Sequence, residues 1–268
     1  MHPLDEATLL SASDPAGLRG RTSDAYWNFG GPFGGVTAAT LLRSVLDHGE
    51  RQGDPCSATV NFTAAVARGS FEVDVRAVRT GRSVQHWYAE LRQGDVVAAN
   101  ATIICARRNT TWSHQAARPP AAPDPGGITP MATDGRNEFV RQFEFRFVEG
   151  ALELQPSFDG EPRSARSCLW LNNAVPRSWD FVGLMTFCDL FFGRIYHVKR
   201  TLFPIATVSM TAYFHVDGEG LAALGTCPLL GVADANVFHA GIFDQSAQLW
   251  SPDGRLLATT TQLVTWRD

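Results

Sequence analysis

The chain has 268 residues, 44% of them hydrophobic and 19% charged, with 24 Gly and 15 Pro. That composition excludes a disordered polypeptide and supplies enough apolar side chains for a large core. Lys and Arg total 23 against 27 Asp and Glu, a net charge of −4, so there is no basic field to attract a nucleic-acid backbone or an anionic membrane. The length fits one large domain or two small ones.

At the N-terminus, MHPLDEATLLSASDPAG carries acids early and lacks a basic stretch leading into a long apolar run, so no signal peptide is expected. Cys56, Cys105, Cys168, Cys188 and Cys227 lie far apart with no C-x-x-C pair. Reduced thiols in a cytoplasmic protein are the expectation, without a disulfide framework or zinc knuckle. The first predicted helix covers 33–48 (FGGVTAATLLRSVLDH) and is apolar on nearly all sides, which predicts burial. Strand-like stretches follow: ATVNFTAAV, FEVDVRAV, SVQHWYAEL and VVAANATIICA, separated by turn signals at Arg68-Gly69, Thr80-Gly81-Arg82 and Gln93-Gly94-Asp95.

From Arg107 to Arg136 the text turns rich in Pro, with Pro119, Pro120, Pro123, Pro125 and Pro130 beside a Gly pair, as suits an extended surface linker. Beyond it FEFRF, with Phe143, Phe145 and Phe147 alternating, predicts a half-buried strand. A second apolar helix is predicted over 180–197; Asp189, Arg194 and His197 within it argue against a membrane span. ATVSMTAYFHV, PLLGVA, VFHAGIFDQSAQLW and RLLATTTQLVTW then read as strands. Pro252-Asp253-Gly254 makes the last hairpin turn, and GEGLAALGTCP reads as a longer hairpin.

The two halves repeat. Ala58-Thr59-Val60-x-x-Thr63-Ala64 recurs as Ala206-Thr207-Val208-x-x-Thr211-Ala212, and 97–104 faces 257–264, which sets Thr102 opposite Gln262. A buried helix followed by antiparallel strands, twice, predicts an α+β fold with a curved sheet wrapped around a helix in each copy. The expected units are residues 20–108 and 136–268, with 109–135 as the linker.

This arrangement, with GGPFGG leading into the first helix, resembles the double-hotdog type II acyl-CoA thioesterase family from about Tyr26 to Asp268. Pro32-Phe33-Gly34-Gly35-Val36 is similar to its helix entry, and Arg79-Thr80-Gly81-Arg82-Ser83 to its Arg-x-Gly-x-Ser turn. Phe187-Cys188-Asp189-Leu190 matches an Asp in its second hotdog helix; Ala206-Thr207-Val208 and Thr260-Thr261-Gln262 match strand positions carrying its Thr and Gln. The resemblance implies hydrolysis of acyl-CoA by Asp189, Thr207 and Gln262, which position a water without a covalent intermediate. It implies no separate cofactor, coenzyme A being part of the substrate, and by analogy a homo-oligomer formed through sheet edges or faces.

Asp189 stands out without any family, because an ionised carboxylate among Phe187, Cys188, Leu190, Phe191 and Phe192 is costly unless partners satisfy it. The plain alternatives are a solvent-facing stripe with Arg194 and His197, or a pair with Arg194. As a base or orienter it would be served by Thr207, able to donate to it, and by the Gln262 amide. Thr207 alone reads as ordinary strand propensity. Gln262 is more unusual, with Thr102 at its counterpart position and Leu41 or a neighbour where the second helix has Asp189; only the second copy is expected to carry the catalytic set. Gly34 and Gly35 leave backbone N–H groups uncovered at a helix start, suited to an oxyanion or to close packing. Arg79 and Arg82 flank a tight turn as candidate contacts for coenzyme A phosphates, or as solvated side chains.

No G-x-S-x-G occurs, so a serine nucleophile elbow is absent. Gly218-Glu219-Gly220-Leu221-Ala222-Ala223 fits G-x-G-x-x-A without the βαβ context that motif needs. The histidines lack metal-ligand spacing. Two rivals remain open: a hotdog enoyl-CoA hydratase or dehydratase, which would want an Asp and His pair, and a non-catalytic acyl-CoA-binding module.

Overall fold

A computed structural model describes residues 1–13 and 17–267. A short helix α1 (Pro3–Ala7) and the edge strands β1 (Ser11–Ser13) and β2 (Gly17–Arg21), none of them foreseen, precede the first long helix α2 (Gly34–Leu46). The strands β3 (Asp54–Phe62), β4 (Ser70–Thr80), β5 (Val84–Gln93) and β6 (Val96–Ala106) complete the first half. The second contains β7 (Phe143–Glu149), β8 (Ser167–Asn173), α3 (Phe181–Cys188), α4 (Arg194–Lys199) and β9 (Ile205–Phe214). It continues through α5 (Gly218–Ala222), β10 (Leu229–Asp234), β11 (Phe238–His239), β12 (Ile242–Trp250) and β13 (Leu256–Trp266).

The strands form one sheet in the order β1-β2-β4-β5-β6-β3-β9-β13-β12-β10-β8-β7, with β11 paired to β12 off this path. The order is a palindrome of the two halves, joined where β3 pairs antiparallel with β9. At the centre Thr59 lies opposite Thr211, their hydroxyls 3.0 Å apart. One cluster of buried side chains takes in residues from α2, α3 and both half-sheets, so the two hotdog units share a core.

Pairing corrects the register of the repeat. In β3 the ladder skips Cys56, between Pro55 and Ser57; in β9 it skips Val208, between Thr207 and Ser209. Aligning these bulges sets Thr207 at the place of Pro55, not of Thr59, and sets Thr211 at the place of Thr59. The hairpins β5–β6 and β12–β13 also share a bulge, after Leu91 and Leu249. From it, Gln262 stands where the first half has Ile103. Thr102 is exposed on the opposite face and Ile103 is buried. A shift of one residue exchanges the two faces of a strand, which is why the short matched motifs misplace these counterparts.

The second helix is broken, contrary to the continuous 180–197 prediction. Asp180 caps α3, its carboxylate accepting from the Gly183 N–H at 2.7 Å, and Asp189 ends the helix with φ −105° and ψ 2°. Phe192 then stacks on Phe145 of β7 at 5.2 Å between ring centroids, while Phe191 packs closely over Gly231 of β10. These two residues lie in the non-helical link between α3 and α4. Gly193 starts α4 against Ile205, and the buried Arg194 guanidinium donates to the Phe192 carbonyl, the Ala165 carbonyl and Ser167 Oγ. A buried cation is tolerated there because oxygen acceptors surround it.

GEGLAALGTCP is not a hairpin: it holds the capped helix α5 and links β9 to β10, which are not neighbours in the sheet. The Pro-rich segment forms no strand or α-helix but is strapped down. Trp170 Nε1 donates to the Pro123 carbonyl at 2.9 Å, Gln115 bonds to Gly254 and Leu256, and Ala117, Ala122 and Ile128 cover Trp170 and Trp250 on the face away from the helices.

Candidate active site

Asp189, Thr207 and Gln262 converge in one cavity of about 760 Å³, which Gly34 also lines. Gln262 Nε2 donates to Asp189 Oδ1 at 2.9 Å, and Thr207 Oγ1 donates to Gln262 Oε1 at 3.4 Å. The hydroxyl therefore reaches the carboxylate through the amide and not by the direct bond expected of it. Without the bulge at Val208, the inward alternation of Phe214, Ala212 and Met210 would bring Val208 to the cavity in place of Thr207.

The first half completes the site. Gly34 lies so close that a Cβ there would come 2.8 Å from Asp189 Oδ2, and the Gly35 N–H donates to the carboxylate. Asp189 thus sits between the C-terminus of α3, which disfavours its charge, and the N-terminus of α2, which favours it. Burial is the largest influence and pushes its pKa up to about 7; the bonds from Gln262 and Gly35 pull it back.

Neither plain reading of Asp189 survives. Arg194 and His197 are buried, so they mark no solvent-facing stripe, and Arg194 bonds to carbonyls and Ser167 instead of Asp189. Arg79 and Arg82 are exposed at the β4–β5 turn. That turn adjoins the Ala106 end of β6, whereas Thr63 at the cavity rim adjoins the Val97 end, so neither arginine lines the cavity. Among the described residues the cavity-lining arginine is Arg136, beside Asn137, which donates to Asn28 at 2.5 Å. Burial, then the charge of Asp189, pushes the adjacent Cys188 thiol up, so no thiolate nucleophile is available there. Among the described residues no cluster of His, Cys, Asp or Glu has the makings of a metal site.

Among the other polar side chains that line the cavity, none singled out from sequence, is Gln245 of β12, directly across the ladder from Gln262.

Residues 23–106 match the family described as acyl-CoA thioesterase N-terminal domain, and residues 114–266 match its acyl-CoA thioesterase C-terminal domain. The chain belongs to the acyl-CoA thioesterase family. A hot dog fold protein of unknown function from Alicyclobacillus acidocaldarius is 36% identical, covering 100% of this chain and 99% of its own, with a TM-score of 0.94. Acyl-CoA thioesterase II TesB2 from Mycobacterium marinum superimposes with a TM-score of 0.76 at 18% identity, over 98% of both chains. A tesB protein from Mycobacterium avium subs paratuberculosis gives 0.79 at 15%, over 99% of this chain and 98% of that one. At such identities the last two show the double-hotdog fold alone. A search of the curated proteins found no match. No described helix of this thioesterase is long and apolar enough to cross a membrane.

Proposed function

We propose that this thioesterase hydrolyses acyl-CoA with Asp189 as general base, Gln262 and Thr207 holding that base and the water, and the first turn of α2 receiving the oxyanion. The observation that carries this reading is the directed chain from the Thr207 hydroxyl through the Gln262 amide to Asp189 Oδ1, at the wall of a largely apolar cavity. Gln262 spends its acceptor on Thr207 and one N–H on Asp189, so the amide has a single sensible orientation. The Thr207 oxygen keeps lone pairs to accept from a water. That water attacks the thioester carbonyl while Asp189 takes its proton, forming the new C–O bond. Collapse of the tetrahedral intermediate breaks the C–S bond, and the protonated Asp189 returns the proton to the leaving thiolate.

At the oxyanion, helix geometry leaves the N–H groups of the first turn without intrahelical partners, and the Gly34 N–H is the donor assigned to it, Gly35 being occupied by Asp189. Water is the only other reactant, so the chemistry calls for no separate cofactor. Among the described cavity-lining residues there is no histidine, which leaves the hydratase alternative without its Asp and His pair.

The test is thiol release from a panel of acyl-CoA thioesters across pH. A base with a pKa of about 7 predicts a kcat/KM that rises through neutrality and levels above it; no turnover with any chain length, or a rate independent of pH from 5 to 9, rejects the reading. Thr207→Val should lower kcat about 10-fold with little change in thermal midpoint. It removes one hydroxyl of a part-buried side chain, a neutral hydrogen bond of the order of 1 kcal/mol.

A further inference from the structure

Trp87 of β5 faces Ile103 of β6 in the first half, and Gln245 of β12 faces Gln262 of β13 at the corresponding step of the second. All four side chains are buried. The first half thus fills this position with an aromatic and an aliphatic side chain. Two glutamines in their place require partners, since a buried amide left unpaired is costly.

Gln262 finds Asp189. Gln245 finds the backbone of the segment that begins with Asp189: its Oε1 accepts from the Arg194 N–H at 3.2 Å, and its Nε2 donates to the Phe191 carbonyl at 3.4 Å. Directly opposed residues on one face have Cβ atoms about 5 Å apart, so two neighbouring amides grip the same 189–194 segment, one by its carboxylate and one by its main chain. The Arg194 guanidinium, bonded to the Phe192 carbonyl, holds it from the other side.

We propose that Gln245 is a positioning residue for the hydrolysis, tying the Phe191–Arg194 main chain to β12 so that Asp189 is held against Gln262 and the first turn of α2. The inference rests on Asp189 being the base. Its influence is indirect, through a placement that helical hydrogen bonding alone does not maintain: α3 ends at Asp189, and the residues that link it to α4 lie outside any helix. Releasing the segment lets the carboxylate swing toward solvent. No charged side chain on α2, β9, β12 or β13 contributes to the environment of Asp189, which is set by burial, Gln262 and the Gly35 N–H.

Gln245→Leu removes both hydrogen bonds at similar volume, and Gln245→Met, of equal length and adaptable shape, serves if the leucine variant does not fold. The expected result is a kcat 10- to 100-fold lower with KM within about 2-fold, in line with the cost of an ångström of misplacement, and an inflection of the pH–rate profile moved toward the ordinary carboxylate range. Wild-type kcat overturns the proposal. So does a reduced kcat with the inflection unmoved, because Asp189 would then have kept its surroundings and Gln245 would act only on stability. If Asp189→Asn itself retains activity, the assignment of the base has failed instead, and the two failures are told apart.

Discussion

Asp189→Asn should lower kcat by about 1,000-fold while leaving the fold intact, and should make the protein more stable above neutral pH. Positioned acid–base catalysis contributes 10²–10⁴-fold, and asparagine keeps the shape and the bond from Gln262 while removing the proton acceptor. The stability effect follows from the pKa of about 7 against an ordinary 3.8. Between those values the native state binds a proton that the unfolded chain has released, so wild-type stability falls as pH rises through that window and the loss is complete above it. Asparagine does not titrate. The two proteins should therefore be alike in denaturant midpoint at pH 4 and differ at pH 8, with the variant ahead by as much as about 4 kcal/mol, the free energy of that displacement in pKa. An active Asn variant would remove Asp189 from the mechanism; equal midpoints at both pH values would show that the carboxylate is not desolvated.

The second large effect is expected at Gly35. A Cβ there would come 2.6 Å from the Thr186 carbonyl oxygen of α3 and 2.6 Å from Phe33 Cε1. The first is backbone, and the Phe33 ring is pinned by stacking on Phe139 at 4.6 Å, so neither moves without separating α2 from α3. Gly35→Ala should cost about 3 kcal/mol, at the upper end of overpacking penalties, measured as a lower denaturant midpoint. It should also abolish turnover while the protein is still folded, because the Gly35 N–H moves away from Asp189. Gly34→Ala provides the contrast. Its Cβ meets Asp189 Oδ2, the end of a rotatable side chain, so activity should fall with a much smaller loss of stability. Equal destabilisation by the two substitutions would mean that the helices, and not the carboxylate, take up the strain at both positions.

These effects depend on contacts between the halves, and the halves themselves were legible in the chain. The apolar run of α2, the alternation of Phe143, Phe145 and Phe147 and the turn signals between strands are local patterns, so hydrophobic periodicity exposes them. The duplication was visible too, yet its register was not. Val208 and Cys56 are extra residues in their strands, and a bulge leaves little trace in a run of Ala, Thr and Val. Asp189 and Gln262 were conspicuous as polar residues in apolar surroundings. Gln245 was not, because Asp244-Gln245-Ser246 offers three polar residues in a row, and only pairing with β13 decides which of them faces inward.

Composition and patterning thus determined two buried-helix units, their order along the chain and a second half that places an acid and an amide in apolar surroundings. Tertiary structure decided where α3 stops, which face Thr207 and Gln245 take, and that the first turn of α2 from one half closes on the carboxylate of the other. The division has a physical cause. Periodicity records how each segment meets its own core, whereas a helix that stops at Asp189 beneath another helix's first turn, or a pKa raised by burial between two helix ends, exists only once distant residues have been packed together.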